Sequence, residues 1–279
     1  MSEMQHRAAQ SRLSALPIWP ATPAFQMIAA GRTNQNFRVT AGDHTYFARV
    51  GHDLPHHGIS RANELRCLRL AAAARVAPEI VYAFDGVLVT EFIEGATLSQ
   101  GEAVDDETLL LLARALRCLH DTTAPTDLHS FDPVEICRRD SRALPAKALS
   151  TERRRRIDRA LDYRPVLRGQ SLIHADLIPE NVMISDRRVV LVDWEYAGSG
   201  DPAVDIASVV LHFGLGERQA DLLVAGHGAI DVRSVRALLP ILALREALWC
   251  EVQRQFAGLQ GDLAAYSEMC WRRLERMTA

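Results

Sequence analysis

The sequence predicts an α+β protein of two unequal parts, a small antiparallel sheet followed by a larger, mostly helical remainder. Three observations carry that prediction. Between Ala24 and Ile93, short runs rich in β-branched and aromatic residues are separated by clusters of Gly, Asn and Asp. From Asp105 onward, apolar residues recur at helical spacing over long stretches. Residues 171–205, SLIHADLIPENVMISDRRVVLVDWEYAGSGDPAVD, interrupt the helical part with brief apolar runs whose ends are polar.

Residues 1–22 mix small and polar residues with Pro17 and Pro20, which suits a short helix and an irregular lead-in. AFQMIAA, NFRVT and TYFARV then read as three strands joined by GRTNQ and AGDH, an antiparallel meander. Ser60 caps a helix that carries Glu64 in its first turns, turns Leu65, Leu68 and Leu70 inward, and stops at Pro78. EIVYAF and GVLVTEFI add two strands, completing a five-stranded sheet with one helix. DDETLLLLARALRCLHD, residues 105–121, is a packing helix with acids in its first turn, where the helix dipole favours them. His120 and Asp121 at its end are expected to face solvent. Residues 122–150, with Pro125, Pro133 and Pro145, read as a loop and short helix crossing between the two parts. The run from Arg153 to Arg156 lies among acids in TERRRRIDRALDYR and reads as a solvated helix face. Asp201 caps, and Pro202 opens, the helix of DPAVDIASVVLHFGL, which puts Asp205 in its opening turn. The rest of the chain reads as helices, one of them kinked by Pro240.

Within residues 171–205, SLI, NVMI and VVLV read as buried strands, with Asp186, Arg187 and Arg188 turning between the last two. A loop between buried strands is a costly place for carboxylates and an amide unless they bind a cation or one another. Phosphoryl transfer uses that arrangement: one carboxylate takes the proton of the attacking hydroxyl, while an amide oxygen and a second carboxylate hold magnesium on the phosphates. Asp176, Asn181 and Asp193 are the candidates. Taken singly, each is also what turns and caps select, and His174 beside an apolar strand reads as a structural residue. In the turn Gly31, Arg32, Thr33, Asn34, Gln35, Asn36, small and hydrogen-bonding residues let backbone amides approach phosphate oxygens. An ordinary polar turn has the same composition. Arg49 and Glu64, considered alone, read as surface residues with no mutual contact.

HADLIPEN matches H-x-D-x-x-x-x-N; Asp193-Trp194-Glu195 begins 12 residues after Asn181, and Asp205 lies another 12 on. In these motifs the chain resembles choline and ethanolamine kinases of the bacterial type, within the larger aminoglycoside phosphotransferase-like group, and GRTNQNF resembles their nucleotide loop. The resemblance implies a two-lobed, protein-kinase-like fold divided into residues 1–93 and 94–279, with Gly95 as the hinge. It also implies transfer of the γ-phosphoryl group of ATP with Mg2+. Carried over residue by residue, Asp176 is the general base, Asn181 and Asp193 hold the magnesium, and His174 and Asp205 brace the loop. Gly31, Thr33, Asn34 and Asn36 approach the phosphates, and the backbone of Glu91, Phe92 and Ile93 holds adenine. Arg49, paired with Glu64, stands where protein kinases carry a lysine, preserving the charge while changing its geometry. No Asp-Phe-Gly, activation segment or Ala-Pro-Glu follows Asp193, which argues against a protein kinase.

The acceptor implied by the resemblance is a small amino alcohol, choline or ethanolamine. Aromatic faces and carboxylates hold a quaternary ammonium, which points to Glu195, Tyr196, Glu246 and Trp249, with Tyr266 and Trp271 as further candidates. Core packing is an equal reading of a lone Trp249. The chain departs from the family pattern twice. Glu246 stands in the first position of an expected W-x-x-W pair, and DIASVVLH puts His212 where an acid facing choline is expected. Thiamine, an aminoglycoside or another alcohol as acceptor stays open, as does a nucleotide-binding module without catalysis.

With 48% hydrophobic and 24% charged residues over 279 positions, the chain can bury a core, and its formal net charge of -3 gives no reason to expect nucleic acid as a partner. Five widely spaced cysteines without a CxxC pair, and an N-terminus lacking the apolar core of a signal peptide, fit free thiols in the cytoplasm. Arginines interrupt the long apolar stretches before membrane-spanning length, so no membrane insertion is expected. Nothing in the sequence bears on oligomeric state.

Overall fold

Alternation with a period of two builds the first sheet. After α1 (Glu3–Ser14), the chain forms β1 (Ala24–Ile28), β2 (Gln35–Ala41) and β3 (His44–Val50). Along β2, Phe37, Val39 and Ala41 are fully buried while their neighbours face outward. Next come α2 (Arg61–Ala73), β4 (Ile80–Phe84) and β5 (Val87–Glu91), and the five strands pair antiparallel in the order β1-β2-β3-β5-β4. The register sets Arg49 between Asn36 on one side and Leu88 on the other. The computed structural model describes residues 3–28, 34–162, 165, 167, 169–257 and 263–278.

One boundary differs from expectation. Ser60 caps α2, its Oγ accepting from Asn63 N at 3.4 Å, but the helix ends at Ala73. The chain escapes it through Arg75, at φ 62, before Pro78 comes into play. Gly95 lies in a close contact. A Cβ at that position would come within 2.5 Å of the Ile184 carbonyl oxygen, so the glycine answers to close approach. That contact forms because β6 (Ala96–Thr97) pairs with β8 (Val182–Ser185), which pairs in turn with β9 (Arg188–Leu191). Ser185 Oγ adds a bond to Glu94 O at 2.7 Å. The turn between β8 and β9 passes through Asp186 and Arg187, both at positive φ, as a tight right-twisted hairpin demands.

The remainder is helical. α3 (Asp106–His120), α4 (Pro133–Ala143) and α5 (Thr151–Asp162) precede the short pair β7 (Ser171–Ile173) and β10 (Gly198–Gly200). α6 (Ala203–His212), α7 (Glu217–His227), α8 (Val232–Val252) and α9 (Leu263–Thr278) complete the chain. Asp105 caps α3, accepting from Thr108 N at 2.8 Å, and α3 buries Leu109, Leu112, Leu116 and Leu119. α8 runs unbroken through Pro240 and buries Leu238, Ile241, Leu244 and Leu248 in the same core. A smaller core, with Leu13, Phe37, Val39, Ala48 and Val89, lies under the first sheet.

The arginine run of α5 is a clamp instead of a solvated face. Arg153 reaches Glu251 at 3.2 Å and Glu268 at 2.5 Å, its guanidinium 4.9 Å from the Trp271 ring centroid, and Arg156 reaches Glu275 at 2.5 Å. Carboxylates of α8 and α9, distant in sequence, make the difference. No helix among the described residues is long and apolar enough to cross a membrane.

Leu244 is fully buried at the meeting of α8 with its neighbours, so Leu244→Ala is expected to cost about 2–5 kcal/mol in urea unfolding. Phe84→Ala, at a side chain 71% exposed, is expected to change stability by less than about 0.5 kcal/mol.

Candidate active site

β7 delivers the chain to His174, and from there Asp205 controls its path. Asp205 is fully buried in the opening turn of α6. Its Oδ2 accepts from His174 N and its Oδ1 from Ala175 N, both at 2.8 Å. Asp201 Oδ1 accepts from Ala203 N at 2.9 Å and so starts the helix that carries Asp205. Ala175 sits at φ 64, a conformation that costs a non-glycine residue about 1 kcal/mol or more and persists where its surroundings over-determine it. Burial works to raise the Asp205 pKa, but the hydrogen bond and charge of His120 and the loop amide overrule it and bring the carboxyl below its usual range.

His120 is the first correction. Expected in solvent, it is 6% exposed; its Nε2 donates to Asp205 Oδ2 at 3.0 Å, and its Nδ1 lies 2.9 Å from His227 Nε2. It falls four residues after Leu116, on the buried stripe of α3. His174 is buried too. Its Nε2 donates to Val192 O at 2.9 Å, its ring centroid lies 4.6 Å from that of Trp194, and burial lowers its pKa, keeping it neutral.

The loop then turns Asp176 into a cleft of about 790 Å³ that Asn181 and Asp193 also line. Asn181 Nδ2 donates to Asp176 O at 2.9 Å, tying the two ends of the loop together. Burial raises the Asp176 pKa to about 6, with the Glu195 and Glu246 charges adding to it and Arg245 opposing. Asp193, at φ 64, opens toward the cleft; its crowded walls, then the Glu195 charge, push its pKa up. Among the described residues, no three His, Cys, Asp or Glu side chains are grouped so as to hold a metal by themselves.

On the sheet side of the cleft, Arg49 and Glu64 form a buried two-pronged pair at 2.5 and 2.6 Å. Burial opposes both charges, yet each holds the other ionised, the arginine pKa raised and the glutamate pKa lowered. Arg61 extends the pair: it donates to Glu64 at 2.8 Å, to Asn34 Oδ1 at 2.8 Å and to Glu195 at 3.2 Å. Asn34 Nδ2 donates to Glu195 at 3.2 Å as well. Asn36, Glu91, Phe92 and Ile93 line the same cleft, and the Glu91 N–H is already given to Glu79 O at 3.0 Å. Gly31 and Thr33 lie outside the described residues.

Glu195, expected on the acceptor side, lines the cleft with Tyr196 and Trp249 and also accepts from Arg61 and Asn34, since a buried carboxylate needs such partners. On the acceptor side, Trp249 Nε1 donates to Tyr196 Oη at 3.1 Å, and Tyr266 donates to Glu246. His212 Nδ1 stands 3.3 Å from Glu246 Oε2, so the two residues at which the chain departs from the family pattern form a pair. Trp271 is no part of this wall; it is 4% exposed and donates to Glu251 at 3.1 Å.

Arg61 and Arg245 were not singled out from the sequence. Arg61 precedes Glu64 by three residues, a helical ion-pair spacing. Arg245 falls on the buried stripe of α8 between Ile241 and Leu248, where a cation is out of place. It stands 3.8 Å from Asp176 Oδ1.

Residues 24–238 match the model of the phosphotransferase enzyme family. Protein LicA of Haemophilus influenzae is 27% identical over 202 residues, 69% of this chain; the match spans 59% of that relative's length. Choline kinase LicA of Streptococcus pneumoniae superposes with a TM-score of 0.80 at 18% identity, over 99% of this chain and 100% of that one. A choline/ethanolamine kinase family protein of Mesorhizobium loti superposes with a TM-score of 0.77 at 25% identity, over 98% and 95%.

Burial also holds three histidines neutral: it lowers the pKa of His174, of His212, and of His227 to about 4 from 6.5. A folded pKa below the unfolded one means that the unfolded chain binds more protons, so the stability is present above about pH 6.5 and is lost as pH falls. Because the raised carboxyls of Asp176 and Asp193 act in the opposite sense, the test is a difference: in urea titrations the stability of wild type relative to His227→Asn is expected to fall between about pH 6.5 and 4. A difference that does not change with pH contradicts this.

Proposed function

Because the chain belongs to the phosphotransferase enzyme family, we propose that it transfers the γ-phosphoryl group of ATP to the hydroxyl of a small amino alcohol, choline or ethanolamine. One observation carries the reading: Asp176, Asn181, Asp193 and the Arg49–Glu64 pair line a single cleft. Arg49, held flat by Glu64, meets the nucleotide phosphates, and Arg61 and Asn34 fix the adjoining wall. The backbone from Glu91 to Ile93 receives adenine.

Asn181 and Asp193 fit a magnesium ion. Its usual site combines one or two carboxylates with substrate phosphates, so no protein cluster of three acids is needed. Asn181 spends its amide nitrogen on Asp176 O, which leaves its oxygen to coordinate. The ion would neutralise charge on the phosphates. Asp176 accepts the hydroxyl proton of the acceptor and aims its oxygen at the γ-phosphorus, and positioning supplies much of the rate. Asp205, His174 and His120 hold that aim without touching the substrate.

For the acceptor, the wall of Tyr196, Trp249, Tyr266 and Glu246 suits an ammonium group, and two of the similar proteins are named choline or choline/ethanolamine kinases. The five unpaired cysteines support a reducing, cytoplasmic setting.

With ADP release coupled to a reporter, wild type is expected to turn over choline or ethanolamine, and Asp176→Asn to lose about 10²–10⁴ in kcat with ATP affinity within about threefold. An undiminished variant rejects the base. Turnover of thiamine alone keeps the transfer and changes the acceptor.

A further inference from the structure

We propose that Arg245 is a further catalytic residue, an arginine supplied by the chain's own α8 that binds the phosphoryl group as it passes from ATP to the acceptor. The proposal rests on the phosphotransferase reading above and adds a group that the motif did not contain.

The catalytic loop has no cation of its own. From His174 to Asn181 it reads HADLIPEN, and its one ionisable nitrogen base, His174, is buried and neutral. Arg49 and Arg61 are held on the sheet side of the cleft by Glu64, Glu195 and Asn34, where Arg49 serves the nucleotide. Arg245 is differently placed. Its side chain is 12% exposed and lines the cleft, and its guanidinium lies against two rings, 5.1 Å from the Tyr196 centroid and 5.2 Å from that of Phe131. Its nearest carboxylate among the described residues is Asp176 Oδ1 at 3.8 Å, beyond hydrogen-bond length. The rings flank the fork, and its carboxylate partner among the described residues is Asp176, the residue that the acceptor hydroxyl approaches.

That position matches the charge that the reaction develops. The acceptor oxygen must lie within hydrogen-bond reach of Asp176 to give up its proton. It forms a bond to the γ-phosphorus while the bond from phosphorus to the β,γ-bridging oxygen breaks, and ADP leaves with that electron pair. The phosphoryl oxygens between the two therefore pass within one side chain's reach of a guanidinium already beside Asp176. A planar fork bonds two such oxygens at once, and an arginine so placed is worth about 10³-fold or more in phosphoryl transfer. The product is a phosphate monoester, and the same fork binds it.

The test uses the full chain and two readouts. Arg245→Gln is expected to lower kcat with choline or ethanolamine about 10³-fold, and Arg245→Lys by less, with thermal unfolding confirming that both are folded. Separately, wild type is expected to bind MgADP with aluminium fluoride, a mimic of the transferring phosphoryl, at least about tenfold more tightly than MgADP alone. Arg245→Gln is expected to lose that difference while its MgADP affinity stays within about threefold. A residue that only packs against Tyr196 and Phe131 would not move the difference selectively. Retention of the aluminium fluoride effect in Arg245→Gln, or kcat within threefold of wild type, overturns the proposal and leaves the phosphotransferase reading standing. Wild type that phosphorylates neither alcohol and shows no tightening with aluminium fluoride removes both.

Discussion

The carboxylate of Asp205 is the constraint on which the site depends. It lies fully buried at the start of α6 and gathers two backbone N–H groups and the His120 imidazole. A buried carboxylate tolerates its loss of water only when its oxygens are bonded this completely. The same bonds hold Ala175 in a left-handed conformation, and that reversal turns Asp176 out of the core into the cleft. His174, on the other side of the strained residue, points inward to Val192 O. One interaction thus sorts two adjacent polar side chains, one to structure and one to chemistry.

A second network joins the sheet to the catalytic block. Arg49, Glu64, Arg61, Glu195 and Asn34 form a continuous chain of buried charge-assisted bonds. Such a chain is stable only if complete, since removing one member strands a buried charge. It joins the residue before β2 to β3, α2 and the loop after β9, while Gly95 and β6 fasten the connecting strand to β8. The cleft between them is therefore bounded by two fixed contacts, which suits a reaction that relies on alignment.

Much of this was legible in the sequence. Strands read from alternation, helices from caps and apolar stripes, and the spacing of His174, Asp176, Asn181, Asp193 and Asp205 marks the block. What escaped were partnerships between distant segments. Nothing local tells that His120 will meet Asp205 and His227, that Arg153 will meet Glu251, or that Glu195 will bond Arg61. Trp271 was a further candidate beside Trp249, and only packing, which buries it against Glu251, removes it. His120 and Arg245 did leave a trace: each is a polar residue on an otherwise buried helical stripe, a mismatch that calls for a buried partner or a ligand. The turn with Gly31 and Thr33 stays an expectation from sequence.

The account's central claim is that Asp205 sets the geometry from which Asp176 transfers a phosphoryl group. Phosphorus NMR of ATP mixed with choline or ethanolamine, run with wild type and Asp205→Asn, tests it most directly. An asparagine there presents a donor to loop amides that need an acceptor. The account predicts a phosphate monoester resonance growing with wild type and at least about a hundredfold slower with the variant, while the variant still binds ATP. A variant that forms the ester as fast as wild type contradicts it.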